Sequence, residues 1–331
     1  MSETGAKRSR LDDLQVIGWI EAAAFVIALS MLNVLYAYAL AKGANVIVFV
    51  LYALIGASVA MLAVSGIGNE AWAIIKTPQS WIYGGASVAL EAIYFLLVGL
   101  ISPAEASLTA RLSVPASLLI GWWVFGARIS RRQIAGGLIV VAAVLPVLAW
   151  VTPDKRGMAI VLGMACALAV AVKTFASEFH PWNRKAETII DKIRVTGLVV
   201  LATALLNLVV TGIAMLAVNL GVSGLASVTP PVSAFTHVPT IVLALVFGTA
   251  ILGAMTFLQF SSVVKIGTAN FLAMSAFAPL TAYALQILAA ALGLIIVPAF
   301  DVAMLVPILT GIAGVLAIVE AGNGRGSARR A

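Results

Sequence analysis

The sequence predicts an all-α integral membrane protein whose ten transmembrane helices form two inverted five-helix repeats. Three observations lead to this prediction: an apolar composition, ten long apolar runs, and a block of sequence that recurs in the second half. Hydrophobic residues make up 62% and charged residues 10% of the 331-residue chain, and the mean hydropathy is +1.10. A single core in water cannot bury so much apolar surface, so we expect the chain to lie in a lipid bilayer.

Each apolar run is long enough to cross a bilayer, which takes about 20 helical residues for about 30 Å of hydrocarbon. The runs are apolar on all sides, whereas the strands of a membrane barrel alternate apolar and polar residues. We divide the chain into a tail at 1–16, a first repeat at 17–151, a second repeat at 158–320 and a tail at 321–331. The predicted spans are 17–41, 45–65, 81–101, 104–126, 133–151, 158–177, 195–219, 240–263, 268–291 and 301–319.

Basic residues are distributed unequally between alternate loops. With the N-terminus in the cytoplasm, fifteen of the twenty Lys and Arg residues fall in cytoplasmic segments and three in external loops. Cytoplasmic loops of membrane proteins carry such an excess. We therefore expect both termini in the cytoplasm, and the short loops favour a bacterial inner membrane. This topology also accounts for the net charge of +7, so we expect no nucleic-acid partner.

Short sequences in the two halves resemble each other. Residues 107–115 read SLTARLSVP and residues 271–279 read FLAMSAFAP, which places Pro115 and Pro279 at equivalent positions. The two prolines are candidate hinges, because each removes a backbone hydrogen bond from its helix. Five crossings bring the chain to the opposite side of the membrane. A second copy of five spans therefore begins on that side and is inverted relative to the first.

The block at 101–144, ISPAEASLTARLSVPASLLIGWWVFGARISRRQIAGGLIVVAAV, resembles the repeat domain of the drug/metabolite transporter superfamily in its EamA branch. The block at 265–290, KIGTANFLAMSAFAPLTAYALQILAA, resembles the second copy, in the style of plant nodulin-like members. The resemblance implies ten helices, a central cavity open to one side at a time, and transport of amino acids, other small metabolites or drugs, often outward. Many relatives carry a Glu after the Gly that follows the fourth span, but here Gly126 precedes Ala127.

Charged side chains deep in a membrane are costly and mark candidate functional sites. Glu91 lies at the middle of the third span, and Arg111 lies at a comparable depth in the fourth. Two hypotheses stay open for this pair. Either it is a structural ion pair, or Arg111 receives an anionic group of a substrate while Glu91 takes up a proton or a substrate amine. Their counterparts in the second copy are Met255 and Ser275, so the charged chemistry is expected in the first half alone.

Other polar residues within the spans are weaker candidates. Lys173, near the cytoplasmic end of the sixth span, is expected to extend toward the membrane interface, and Glu21 and Asp301 lie close to interfaces as well. Neutral side chains are expected either to bind substrate or to join helices by hydrogen bonds. These residues are Asn33, Tyr36, Tyr94, Asn207, Gln259, Asn270 and Ser275.

The sequence favours a secondary active transporter, expected to export a small metabolite, amino acid or drug-like solute, with proton coupling as a further hypothesis. The alternatives are a flippase for a lipid or lipid-linked sugar, and a non-transporting membrane scaffold or intramembrane enzyme. No GxxxxGK[ST] phosphate loop occurs, and one Cys and two His residues form neither a disulfide nor a Cys/His metal cluster. We expect a small-molecule substrate, no cofactor, no metal and no enzymatic activity, in a monomer or homodimer.

Overall fold

The computed structural model describes residues 3–226, 229–296 and 302–328. Helices form most of this part of the chain, and it contains no strand. Two short irregular helical turns interrupt the longer helices, a 3-10 turn at Ala110–Leu112 and a π-helical turn at Leu243–Gly248. The α-helices are α1 (Glu3–Ala41), α2 (Val46–Ser65), α3 (Ala71–Lys76), α4 (Pro78–Leu100), α5 (Pro103–Thr109), α6 (Ser113–Phe125), α7 (Arg131–Trp150), α8 (Pro153–Glu178), α9 (Pro181–Lys185), α10 (Ile189–Asn219), α11 (Val238–Val242), α12 (Thr249–Ser275), α13 (Ala278–Ala291) and α14 (Leu305–Ala328).

Eight helical segments are long and apolar enough to cross a membrane, and they lie at the first eight predicted spans. The prediction of an all-α, multi-pass membrane protein is therefore confirmed. Two shorter apolar helices, Ala278–Ala291 and Val302–Ile318, lie at the ninth and tenth predicted spans. Helix α1 already begins within the predicted tail at 1–16, and α14 continues into the predicted tail at 321–331. Asp301 and the first two and last three residues lie outside the described residues.

The outward faces of the bundle are apolar. Large side chains on these faces are more than half exposed, among them Val64, Trp123, Leu138, Val161 and Ile213. Apolar surface of this extent is unfavourable in water and typical of helices that contact lipid.

The chain turns at Gly267, within the residues of α12. Gly267 has φ 78° and ψ 159°, which no residue of a right-handed helix adopts and which glycine tolerates. After this residue the chain runs parallel to α1. The Phe271 ring lies 4.8 Å from that of Phe25, and Ser30 donates to the carbonyl of Ala278 at 3.2 Å.

Before Gly267 the chain runs parallel to α2 instead. Gly248 packs against Ala53, and Gly253 packs against Ala57. Helix α2 is antiparallel to α1, because only four residues join them. The segments on either side of Gly267 are therefore antiparallel to each other, and a new helix begins at the start of the ninth predicted span.

The fourth and ninth predicted spans are each broken just before a proline. The 3-10 turn at 110–112 separates α5 from α6, and Pro115 lies in the first turn of α6. The ninth span breaks between Ser275 and Ala278, and Pro279 lies in the first turn of α13. A first helical turn tolerates proline because its N–H groups have no partner within the helix. The structure thus divides each of these spans into two helices.

The contacts between helices are symmetric with respect to the two halves. Replacing each helix by the equivalent helix of the other half gives the same set of pairs. Helix α1 packs along α12 and α13, and α8 packs in the same way along α4 and α6. Helix α2 packs against α10, and α7 packs against α14. The helices that meet at the centre are therefore α1, α4, α8, α12 and the two broken spans.

The backbones of α7 and α14 touch where two glycines cross. A Cβ at Gly136 would lie 2.6 Å from the carbonyl oxygen of Gly314, and a Cβ at Gly314 would lie 2.8 Å from that of Gly136. Small residues permit such close approach between helices in lipid.

We expect Gly136→Ala to destabilise the protein, because the added methyl group would overlap a backbone oxygen that cannot move aside. Overpacking of this kind costs about 1–3 kcal/mol, measurable by thermal unfolding in detergent. Gly212→Ala is the matched control, since Gly212 has no atom within 4 Å of an added Cβ. Equal unfolding temperatures for the two variants would contradict the glycine contact.

The connector between α8 and α10 is attached to the bundle through His180. Asn183 donates its backbone N–H to His180 Nδ1 at 3.3 Å, and His180 Nε2 lies 2.9 Å from the Ser80 hydroxyl oxygen. Ser80 donates its own proton to the carbonyl of Ile74, so Nε2 carries the imidazole proton and donates to Ser80. Burial lowers the pKa of His180 from 6.5 to about 4.

We expect the folded state to lose stability as the pH falls from 6.5 to about 4. In this window the unfolded chain binds a proton at His180 that the folded chain excludes, so the free energy of unfolding falls by up to about 1.4 kcal/mol per pH unit. Unfolding in detergent over a pH series measures the slope. His180→Gln should reduce it, and equal slopes for wild type and His180→Gln would refute the assignment.

Candidate functional site

A small buried cavity lies at the centre of the bundle and has a volume of about 50 Å³. This is room for a few water molecules, whereas ligand pockets are several times larger. The lining is mostly apolar but contains three charged side chains, those of Glu91, Arg111 and Lys173. Both halves of the chain contribute to it. The other lining residues are Phe25, Leu29, Leu32, Asn33, Tyr36, Leu90, Tyr94, Ala110, Val170, Met255, Gln259, Phe271, Leu272 and Ser275.

The carboxylate of Glu91 has a different partner at each oxygen. Tyr36 donates its hydroxyl proton to Oε2 at 2.5 Å, and Nζ of Lys173 lies 3.6 Å from Oε1. Glu91 is only 3% exposed, and a carboxylate buried to this degree requires such partners to offset the loss of hydration. Glu91, Tyr36 and Lys173 therefore form one interacting group.

Lys173 does not extend toward the membrane interface. It is 2% exposed, pairs with Glu91, and places Nζ 5.3 Å from the centre of the Tyr83 ring. The prediction of an interfacial lysine is wrong, because a carboxylate within reach offsets much of the cost of keeping the ammonium group inside the bundle. Lys173 belongs to the second half, so the expectation that the charged chemistry lies in the first half alone is also wrong.

Arg111 binds backbone oxygens. Its Nε donates to the carbonyl of Ser107 at 3.2 Å, and its Nη1 donates to the carbonyl of Ser275 at 2.5 Å. Pro279, four residues after Ser275, has no N–H with which to bond that carbonyl, so the oxygen is available to Arg111. Among the described residues Arg111 forms no ion pair with Glu91, and the hypothesis that these two residues pair is wrong.

Two polar side chains that line the cavity have no hydrogen-bond partner among the described residues. They are Asn33, whose amide oxygen and nitrogen are both unpaired, and Tyr94, whose hydroxyl is unpaired. Asn33 is fully buried and Tyr94 is 5% exposed. Leaving a buried polar group unpaired costs about 1–3 kcal/mol, and such groups are rare in folded proteins. Both predicted residues therefore carry hydrogen-bonding groups that no described residue satisfies.

The remaining candidates divide between the cavity and other places. Gln259 lines the cavity and donates to the Thr174 hydroxyl at 3.4 Å, and Ser275 also lines it. Asn270 does not line the cavity, and its amide donates to the carbonyl of Ile266 at 2.9 Å. The structure thus brings together six of the seven predicted binding residues, Glu91 and Arg111 among them, and separates only Asn270 from them.

Pro115 and Asn207 also lie away from the cavity lining. Pro115 contacts Gly137 of α7, and Asn207 accepts a hydrogen bond from Thr211 of its own helix at 3.3 Å. Pro279 acts on the site indirectly, through the carbonyl that it leaves without a helical partner.

Side chains close the cavity toward the end of the bundle where α1 begins, which we call the first end. The ring contact between Phe25 and Phe271 lies on this side of Asn33 along α1. Farther along, Glu21 accepts hydrogen bonds from Lys265 at 2.5 Å and from Ser261 at 2.8 Å.

Aromatic rings close the cavity toward the opposite end. The Tyr36 ring lies 4.7 Å from that of Phe95 and 6.4 Å from that of Tyr94, and Phe95 lies 5.4 Å from Phe49. Because Tyr36 also donates to Glu91, this aromatic closure is bonded directly to the buried carboxylate.

Sequence reasoning missed the pairing of Lys173 with Glu91, although a signal was present. Lys173 is the only charged residue in the predicted sixth span, and Glu91 is the only one in the third. Isolated opposite charges in two spans favour a buried pair. Within the described residues, no group of three or more His, Cys, Asp or Glu side chains is placed to hold a metal ion.

We expect Lys173→Met to destabilise the protein by about 3–5 kcal/mol, because it leaves the Glu91 carboxylate buried without a cation. Adding Glu91→Gln to Lys173→Met should restore most of this loss, since the remaining amide is neutral. Unfolding in detergent measures both variants, with Lys155→Met on the exposed part of α8 as the control. Additive effects of the two substitutions would contradict the pair.

No protein-family model matches this chain, and no curated protein matches it. Several chains of solved structures are similar to it, among them a crystal structure whose name states no function, with a TM-score of 0.55 and 20% sequence identity. The match covers 91% of this chain and 96% of the other. At this identity the likeness shows the fold alone: the helical arrangement described above is shared along nearly the whole chain with a solved structure.

Proposed function

We propose that this protein is a secondary active transporter that carries a small metabolite, amino acid or drug-like solute by alternating access. The central cavity carries the proposal, since three charged side chains and two unpartnered polar groups meet there. Secondary transporters bind solutes at such a depth, between two halves of the chain, where broken helices offer backbone groups. In this protein the break in the ninth span exposes the carbonyl of Ser275, which accepts a hydrogen bond from Arg111.

We propose that the bundle crosses the membrane ten times as two inverted five-helix repeats, and that the chain belongs to the drug/metabolite transporter superfamily in its EamA branch. Three observations support this: the exchangeable pairing of the helices, the reversal at Gly267, and the matching breaks before Pro115 and Pro279. Alternating access then consists of movement of one half against the other around the cavity.

The proposed location is a bacterial inner membrane with both termini on the cytoplasmic side. The excess of basic residues in alternate loops supports this orientation. The first end of the bundle is then cytoplasmic, and the Phe25–Phe271 contact closes the cavity toward the cytoplasm together with the Glu21–Lys265 pair.

Glu91 is the residue proposed to take up the coupling proton. Among the described residues it is the only carboxylate that lines the cavity. A proton on Glu91 removes the charge that holds Lys173, so protonation changes the electrostatics of the whole site. In the proposed exchange, a proton enters from outside and a solute leaves the cytoplasm, so the proton gradient drives export.

We expect Glu91→Gln to abolish solute flux driven by a pH gradient in protein that remains folded, although its unfolding temperature falls because Lys173 loses its anion. Gln keeps the size of the side chain and an acceptor for Tyr36 but cannot bind a proton. Flux of labelled amino acids, organic acids and organic amines into liposomes measures the effect, and thermal unfolding checks the fold. Glu187→Gln, the same change at an exposed residue of the connector, is the control.

Full pH-driven flux through Glu91→Gln would overturn the assignment of Glu91. If the wild-type protein instead moved fluorescent lipid headgroups between leaflets and carried no solute, the protein would be a flippase. Absence of both activities would leave the non-transporting scaffold as the better account.

A further inference from the structure

We propose that the cavity selects a small organic monocarboxylate, with the carboxylate bound by Arg111 and an apolar body against the surrounding side chains. The inference rests on the proposed function in taking the cavity as the solute site. It goes further by excluding amino acids and amines from the proposed solutes, and it names the groups that recognise the anion.

The charges of the cavity do not balance. Glu91 and Lys173 pair with each other, whereas Arg111 has no carboxylate within 4 Å among the described residues and bonds only to carbonyl oxygens. The formal charge of the lining is therefore +1. A buried cation without an anion is costly in a membrane, and one negative charge beside Arg111 balances it.

Unused hydrogen-bonding groups lie in the same cavity. The hydrogen bonds of Arg111 start from its Nε and Nη1, and the Asn33 amide and the Tyr94 hydroxyl are unpaired. A carboxylate has two oxygens with about four acceptor positions. It satisfies the guanidinium, the amide N–H and the hydroxyl together, which no neutral apolar solute does.

A substrate amine finds no comparable site. The one carboxylate in the lining, that of Glu91, already accepts from Tyr36 at one oxygen and pairs with Lys173 at the other. An ammonium group would have to displace Lys173 or lie near two cations. The geometry therefore favours a monocarboxylate over the amino acid that has the same carbon skeleton.

The remaining lining residues are mostly apolar and therefore favour a solute with an apolar body. Leu29, Leu32, Met255, Phe271 and Leu272 surround the charged groups, and an apolar body gains free energy by contact with them. A dianion is disfavoured because it brings a second charge that the cavity does not balance. The present volume accommodates the carboxylate, and the body enters when the halves move apart.

Binding to the purified full-length protein tests the proposal without requiring transport. The probes form a matched set: 4-methylpentanoate, leucine, which adds an α-amine to it, 3-methylbutylamine, which is leucine without the carboxylate, and succinate, a dianion. We expect 4-methylpentanoate to raise the thermal unfolding temperature at pH 7.5 and the other three to leave it unchanged. Stabilisation by leucine or the amine but not by 4-methylpentanoate would overturn the inference.

Variants identify the binding groups. Arg111→Met should abolish the shift, and Arg132→Met, an exposed arginine of α7, should keep it. Because Arg111 also bonds Ser275, its loss affects folding, so Asn33→Leu provides a second test. Leu removes an unpaired amide and should not destabilise the protein, yet it should weaken binding about tenfold or more, the effect of losing one hydrogen bond to a charged group. Unchanged binding by Asn33→Leu would count against the site.

Flux of 3-methylbutanesulfonate, a permanently charged analogue that does not cross lipid by itself, separates this inference from the proposed function. Binding of 4-methylpentanoate without sulfonate flux upholds the anion site and counts against transport. Flux of leucine or 3-methylbutylamine without any anion binding upholds transport and overturns the anion site.

Discussion

The hydrogen bond from Arg111 to the carbonyl of Ser275 joins the two halves where both are broken. A continuous helix would have used this carbonyl for its own backbone, but Pro279 has no N–H to donate to it. The oxygen then needs another donor, because an unpaired carbonyl at this depth has no water to bond. Arg111 lies at the equivalent break of the other half and supplies that donor. A missing backbone proton in one half of the chain thus fixes the position of a cation from the other half.

The other buried charges follow from the same constraint. Glu91 and Lys173 are each the only charged residue of a predicted span, and neither is stable there without the other. Their pair holds α4 against α8, while Arg111 holds the fourth span against the ninth. The cavity is the space between these two sets of contacts. Its polar groups are fixed by helices that belong to different halves, so movement of one half relative to the other changes the site directly.

The sequence predicted the features that depend on single helices, and it did not predict contacts between residues far apart in the chain. Hydropathy located the first eight spans, because burial in lipid acts on every residue of a helix. Glu91, Arg111, Asn33 and Tyr94 were predicted as site residues, since polar groups in apolar runs are conspicuous. The partner of Glu91 was predicted wrongly, because Arg111 is its neighbour along the chain whereas Lys173 approaches it from the other half. Asn270 was predicted as a site residue but lies near the turn at Gly267, and no local pattern distinguishes that position from the cavity.

The two ends of the cavity are closed by different side chains, and only one of the two closures contacts the carboxylate of Glu91. At the first end the closure consists of the Phe25–Phe271 contact and the Glu21–Lys265 pair, neither of which touches Glu91. At the opposite end Tyr36 belongs both to the aromatic closure and to the hydrogen bond with Glu91. A change in the charge of Glu91 alters the strength of that bond, and so acts on the opposite closure alone. In the proposed mechanism of alternating access, the symmetric pairing of the halves provides two ways to open, and the position of Tyr36 makes only one of them sensitive to Glu91.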